Sequence, residues 1–319
     1  MKKALSILTA GCLAVSLAAC GSTAASSAAS AADSTASSAA ESTAASDTAA
    51  ADGQTYKVGI CQLVQHVALD AATQGFKDAL TEQLGDAVTF EEKNAQGDSN
   101  TCTTIINGFV SDNVDLILAN ATPALQAAQA GTNTIPVLGT SVTEYGVALG
   151  IDDFDGLVGT NISGTSDLAP LDEQAGIIKE LFPDAKTVGL LYCSAEPNSQ
   201  YQVDTVKASL EELGYTCEYY AFSDSNDLAT VCQSAADASD VIYVPTDNTV
   251  ANNTEIVNNI CQPAGVPVVA GEEGIMGGCG VATLSISYYD LGVATGKMAA
   301  KILTGESKVE AVSYTHLTL

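Results

Sequence analysis

The chain has 319 residues with a formal net charge of −27, and it contains neither arginine nor tryptophan. So acidic a surface excludes nucleic acid and an anionic membrane face as natural partners. Without arginine there is no guanidinium fork for a carboxylate or phosphate. Without tryptophan the largest stacking platform for a sugar is missing, although eleven tyrosines and six phenylalanines remain.

Lys2 and Lys3, an apolar run from Ala4 to Ala18, and Leu17-Ala18-Ala19-Cys20 read as a lipoprotein signal peptide over residues 1–20. Its apolar core is shorter than the roughly 20 residues a membrane span needs. Cys20 is the expected lipidation site, which places the rest of the chain on the extracytoplasmic face of the cell membrane. Loss of the two lysines takes the net charge from −27 to −29. Residues 21–53, nearly all Ala, Ser and Thr, carry no apolar stripe and read as a disordered tether.

Strand and helix patterns then alternate. A buried strand over Val58–Leu63 is followed by an amphipathic helix on Leu69, Ala72, Phe76 and Leu80, and by a strand at Val88–Glu92. Asp98-Ser99-Asn100 caps a helix carrying Ile105, Ile106, Phe109 and Val110. Leu116–Ala119 is a central strand, and Pro123 opens a short helix at its favoured position. Val137–Gly139 is the next strand, and after Val158–Ile162 the chain is expected to cross to a second lobe.

There the order repeats. A helix over 167–182 leads to strand Thr187–Leu191, a helix ending at Leu213-Gly214 and strand Cys217–Ala221. A helix over 227–236, strand Val241–Val244, one helix over 250–260 and strand Val266–Ala270 complete the lobe. Ala282–Ser285 crosses back, and a helix over 289–303 rests on the first lobe. The stretch 186–262 restates 56–130, so a duplicated α/β unit is expected: two similar Rossmann-like lobes with parallel sheets. The boundaries read 54–162 plus 284–306 for the N-terminal lobe, 163–283 for the C-terminal lobe and 307–319 for an atypical tail.

Ligands of open α/β sheets bind at the carboxyl ends of the strands. That rule selects Gln65-His66, Thr122, Ser141-Val142-Thr143, Glu196 to Ser199, Asp247-Asn248 and Glu272-Glu273, with Glu273 the acid taken to face the cleft. Helix capping accounts for Asn198 and Ser199 as well as ligand binding does. A free amino acid suits this set. Asp247 or Glu273 would pair with its ammonium, while Ser141, Thr143 and Thr165-Ser166 hold its carboxylate. Its side chain would lie against Leu69, Val142 and a tyrosine. Phosphate-loop, zinc-protease and serine-hydrolase motifs are all missing, and only His66 and His316 could act as a histidine base, so no catalytic residue is assigned. No metal site and no cofactor is expected. Of nine cysteines, Cys61, Cys102, Cys193, Cys217, Cys232, Cys261 and Cys279 remain in the body, an odd number, and most sit in apolar runs as buried free thiols.

Several stretches carry a family resemblance: Gln65-His66-Val67-Ala68-Leu69-Asp70, Ala121-Thr122-Pro123-Ala124, Gly164-Thr165-Ser166-Asp167, Glu196-Pro197-Asn198-Ser199, Thr246-Asp247-Asn248 and Ile286-Ser287-Tyr288-Tyr289-Asp290-Leu291-Gly292. On these the chain resembles the substrate-binding lipoproteins of bacterial ABC importers with the type I periplasmic-binding-protein fold, and within them the tryptophan/tyrosine-binding family. The resemblance implies a multi-strand hinge, capture of a small solute between the lobes by a monomer, and delivery to a permease with a cytoplasmic ATPase. It adds Asp70 and Asp167 to the candidate ligand-binding residues. The family fold continues beyond Gly305 with a strand and helix on the second lobe. Ser313-Tyr314-Thr315-His316-Leu317 does not match that ending, so a truncated terminus is expected. A sugar or nucleoside ligand, a sensor uncoupled from transport, and an enzyme are the rival readings.

Overall fold

The computed structural model describes residues 53–311 and 315–316. The expected signal peptide, Cys20 and nearly all of the tether lie outside them. In the first lobe β1 (Tyr56–Gln62), α1 (Val67–Leu84), β2 (Val88–Asn94), α2 (Ser99–Ser111), β3 (Leu116–Asn120), α3 (Thr122–Gly131), β4 (Val137–Val142), α4 (Tyr145–Leu149) and β5 (Ile162–Ser166) follow in order. The second lobe holds α5 (Leu171–Leu181), β6 (Thr187–Cys193), α6 (Pro197–Glu212), β7 (Thr216–Phe222), α7 (Ser225–Ala238) and β8 (Val241–Val244). It continues with α8 (Asn248–Ala251), α9 (Thr254–Ala264), β9 (Val268–Ala270), α10 (Glu273–Cys279) and β10 (Ala282–Thr283). The chain then returns through α11 (Tyr288–Leu303) and β11 (Thr315–His316).

Both sheets are parallel throughout. The first runs β11-β5-β4-β3-β1-β2 and the second β10-β9-β8-β6-β7, so the two lobes share one 2-1-3-4-5 order, as a duplicated unit requires. β3, β4 and β8 are buried along their whole length, because helices cover both faces of each sheet. The first lobe is closed by α11, which lies along α1. A Cβ at Gly75 would strike the Tyr289 carbonyl and one at Gly292 the Ala72 carbonyl, so glycine lets the two helices approach this closely.

Four details differ from the sequence reading. β5 belongs whole to the first sheet, so the crossing follows Ser166 instead of falling at 163. The helix expected from 167 begins at Leu171, since Pro170 holds an extended backbone before it. The single helix expected over 250–260 is two, α8 and α9, broken at Asn252-Asn253. Glu273 starts a helix, α10, where only a loop was expected. At the far end Thr315 and His316 pair with Thr165 and Ser166 on the edge of the first sheet.

Among the described residues two crossings join the lobes, residues 167–170 and 284–287, and they are tied together. The Tyr288 hydroxyl donates to Asp167 Oδ2 at 2.8 Å, and Gln174 Nε2 donates to the Leu284 carbonyl at 2.7 Å. Both sheets point their carboxyl ends at the space between.

Candidate functional site

That space holds a small cavity lined from both lobes. His66, Ala68 and Leu69 enter it from the start of α1, Ser141 and Thr143 from the end of β4, and Asp167 from the end of β5. The second lobe supplies Asn198 from α6, Thr246, Asp247, Asn248 and Ala251 around α8, and Glu272 before α10; Tyr288 comes from the crossing.

Ser141 reaches the cavity through backbone strain. The β4–β5 register shifts between Gly139 and Val142, and Ser141 sits at φ +54°, a left-handed conformation that costs a non-glycine residue energy. Bulges of this kind re-aim a side chain, and here the hydroxyl is buried without a hydrogen-bond partner.

Asp167 is 4 % exposed; its Oδ2 accepts from Tyr288, while Oδ1 has no partner. Burial raises its pKa above 3.8, partly offset by the Tyr288 and Thr143 hydroxyls. Burial also raises Tyr288 well above 10.0, so its hydroxyl stays a donor.

His66 spans the cleft, with Nε2 3.1 Å from Asn248 Oδ1 of the other lobe. Asn248 Nδ2 donates to Glu196 Oε2 at 2.8 Å, which leaves Oδ1 as the atom facing the imidazole. Nε2 therefore carries the hydrogen and Nδ1 is a bare acceptor, with no partner. Burial holds the His66 pKa below 6.5, so the ring is neutral at pH 7. Glu196 also accepts from the Asn248 and Thr249 backbone N–H groups at 3.0 and 2.9 Å and from the Thr249 hydroxyl at 2.8 Å. It thereby orients α8. Asn198 donates to the Thr246 carbonyl at 3.1 Å and leaves its own Oδ1 buried and unpartnered.

Of the candidates read from the sequence, His66, Leu69, Ser141, Thr143, Asp167, Asn198, Asp247 and Asn248 line this cavity. The two acids expected to meet an ammonium are placed differently from that expectation. Asp247 caps α8: Oδ1 accepts from Val250 N at 2.9 Å and Oδ2 from Cys193 N at 2.7 Å, so both oxygens are engaged. Glu273 is exposed and outside the cavity lining, because the chain turns into α10 at that residue. Its neighbour Glu272 lines the cavity and caps α10 through Gly274 N and Ile275 N, both at 2.6 Å.

Gln65 is exposed, Thr122 is buried in the first turn of α3, and Val142 packs in the first-lobe core. Asp70 accepts from Gln62 at 2.7 Å, Thr165 bonds Thr295 at 2.8 Å, and Ser166 donates to the Thr143 carbonyl at 2.7 Å. Ser199 is buried against Asn198, with its hydroxyl 3.4 Å from Asn198 Nδ2. These are supports behind the cavity wall. The sequence reading missed Ala68, Thr246, Ala251 and Tyr288, and of the selected pair Glu272-Glu273 it took the wrong acid as the one facing the cleft. A residue on a Gly-Glu-Glu turn can be assigned to one side of a wall only when the following helix is seen.

A family model described as ABC transporter substrate binding protein matches residues 57–317. A curated tyrosine-binding protein of Clostridioides difficile (strain R20291) is 36% identical over 253 residues, covering 78% of this chain and 73% of the relative. A structure of an ABC domain in complex with L-Trp from Streptococcus pneumoniae is 33% identical, with a TM-score of 0.78, covering 82% of this chain and 88% of that one. A ligand-free, open substrate-binding protein with adhesive properties from Clostridium difficile is 39% identical, with a TM-score of 0.60 and coverage of 82% and 89%.

Proposed function

The chain belongs to the ABC transporter substrate-binding proteins, and on that footing we propose that its interlobe cavity captures an aromatic amino acid, tryptophan or tyrosine, for import. One observation carries the reading: His66 Nδ1, Ser141 Oγ, Asp167 Oδ1 and Asn198 Oδ1 are all buried, all without partners, and all on residues lining the one cavity. Buried polar atoms are nearly always satisfied, so four facing one cavity from both lobes mark where a polar solute binds. Three of the four accept and cannot donate, which calls for a ligand rich in N–H and O–H groups.

An α-ammonium meets Asp167 Oδ1, the one carboxylate oxygen there left free. The α-carboxylate lies by the Ser141 and Thr143 hydroxyls and the start of α1, whose N-cap His66 makes no side-chain capping bond. The side chain rests on Leu69 and Ala251, and its indole N–H or phenol O–H has acceptors in His66 Nδ1 and Asn198 Oδ1. The names of the tyrosine-binding relative and of the L-Trp complex support this choice.

The lobes are closed on one another at the His66–Asn248 bond. A lower TM-score against the open relative, despite its higher identity, accords with a closed lobe angle. Ligand contacts with both lobes favour this state by a population shift. Lipid on Cys20 would hold the protein beside a permease and its ATPase, and the solute is handed on unchanged.

A thermal-shift screen of the exported protein against amino acids, sugars and nucleosides tests the proposal. Tryptophan or tyrosine should raise the melting temperature; a ligand at a hundredfold excess over Kd adds about 2.7 kcal/mol. A response to sugars or nucleosides alone overturns it.

A further inference from the structure

The second lobe brings two cysteines into sulfur contact away from the solute cavity. Cys232 on α7 and Cys261 on α9 place their Sγ atoms 3.7 Å apart. Both thiols are free, and both residues are buried. Cys261 nevertheless lines a second cavity, of about 700 Å³, formed with Leu181, Pro183, Val266, Pro267 and Val281. Its rim is open to solvent, since Leu181 is 49% exposed and Val281 59%. Cys261 thus borders an open cavity while the residue itself, 2% exposed, belongs to the second-lobe core. Cys61 and Cys102, in the first-lobe core, border none of the cavities described.

We propose that Cys232 and Cys261 form an oxidation site, closing to an intramolecular disulfide by exchange with a small-molecule disulfide outside the cytoplasmic membrane. Disulfides persist in that compartment, and sulfurs already in van der Waals contact need only small side-chain rotations to reach a bond of about 2 Å. The two thiols share one hydrogen bond, in which either sulfur can donate, so the proton of one is already held by the other. Cys261, the residue that borders the cavity, is the one placed to meet an incoming disulfide first.

The steps balance. The Cys261 thiolate attacks one sulfur of the incoming disulfide, its S–S bond breaks, and one half leaves as thiolate. Cys232, losing its proton, then attacks the Cys261 sulfur and displaces the second half. Two protein thiols are oxidised to one disulfide, and the reagent is reduced to two thiols. The new bond closes a loop of 29 residues of sequence separation. That loop contains β8 and α8, and with them Asp247, Asn248 and Ala251 of the solute cavity. Oxidation therefore stiffens one wall of the solute site.

The test incubates the full chain with oxidised glutathione at neutral pH, quenches with acid, alkylates free thiols and maps the peptides. The expected product is a single Cys232–Cys261 link, lighter than the reduced protein by two hydrogens and melting about 5–10 °C higher. Dithiothreitol should reverse both changes, and Cys232→Ser and Cys261→Ser should each abolish them. Free thiols at both positions, or a glutathione adduct that persists on Cys261, overturns the proposal. Mapping of the unaltered chain decides the matter even if a serine variant folds poorly.

Discussion

Asp167 and Asp247 are both buried carboxylates at the ends of strands, yet their oxygens are employed in opposite ways. Asp247 has both oxygens taken by backbone N–H groups, one of them from Cys193 on another strand. Asp167 has one oxygen on Tyr288 and one free in the cavity. Asp167→Asn should therefore remove solute binding, by about 3–5 kcal/mol or more than a hundredfold in Kd, because the ligand ammonium is left buried and unpaired. The unliganded variant should melt no lower than the parent, since the amide still accepts from Tyr288 and no charge is buried. Asp247→Ala should do the reverse, costing about 1–2 kcal/mol of stability through the lost cap and the orphaned Cys193 N–H. Calorimetry and melting curves on both variants would separate the roles, and equal loss of binding with equal loss of stability would sink the distinction. The sequence shows Asp247 as an acid after an apolar strand and Asp167 as the first residue of an expected helix, and it does not say which oxygens are engaged. Whether Cys193 N, fifty-four residues away, occupies an oxygen is a tertiary fact. Asp167 was reached only through the family resemblance, because it follows a strand whose membership of the first sheet is hard to read from Ile162-Ser163-Gly164-Thr165-Ser166.

At the scale of elements, the repeat was legible because its units are long and strongly patterned. Val58–Ile60 and Val188–Leu190 are buried central strands, each followed by a helix with one apolar face, and the same sheet order in both lobes follows from that duplication. Short elements were not legible. α10 is the seven-residue stretch Glu-Gly-Ile-Met-Gly-Gly-Cys, and its three glycines argue against a helix. It forms because Glu272 accepts from its first N–H groups and Ile275 is buried in the second-lobe core. Its start also abuts the other lobe. A Cβ at Gly274 would lie 3.2 Å from Val67 Cβ on α1 and 3.1 Å from the Glu272 carboxylate. The Val67 contact exists only when the lobes are together. Gly274→Ala should therefore weaken solute binding roughly tenfold, the effect of about 1.4 kcal/mol against closure, and leave the melting temperature of the unliganded protein nearly unchanged. Small-angle scattering with saturating ligand should show a larger radius of gyration for the variant. Unaltered affinity and full compaction would show that α1 and α10 do not limit closure.

The whole molecule buries Asp167, Asp247 and Glu272 beside one cleft, and burial raises the pKa of all three, that of Asp247 to about 7 with the charge of Glu196 adding to it. A carboxyl whose folded pKa exceeds its unfolded one binds more protons folded than unfolded. Stability is then full below the unfolded value, near 4, and is lost as pH rises through the folded pKa. Unliganded protein should thus melt at progressively lower temperature from about pH 4 to pH 7. Repulsion across a chain of net charge −27 acts in the same direction, but salt screens surface charges and spares buried ones. The part of the pH dependence that survives high salt therefore reports the cleft. A solute ammonium against Asp167 lowers that residue's pKa, so binding releases protons where the free site is partly protonated, and affinity rises with pH across the same window. The expected result is a ligand-induced melting shift that grows from pH 5 to pH 7 as the unliganded protein weakens. In Asp167→Asn the salt-resistant part of the decline should shrink and the ligand shift should vanish. A ligand shift independent of pH, with an unliganded melting temperature that rises towards pH 7 at high salt, would show that these carboxyls do not couple solute capture to folding. Where the coupling holds, closure satisfies a cleft that is costly to keep empty at neutral pH.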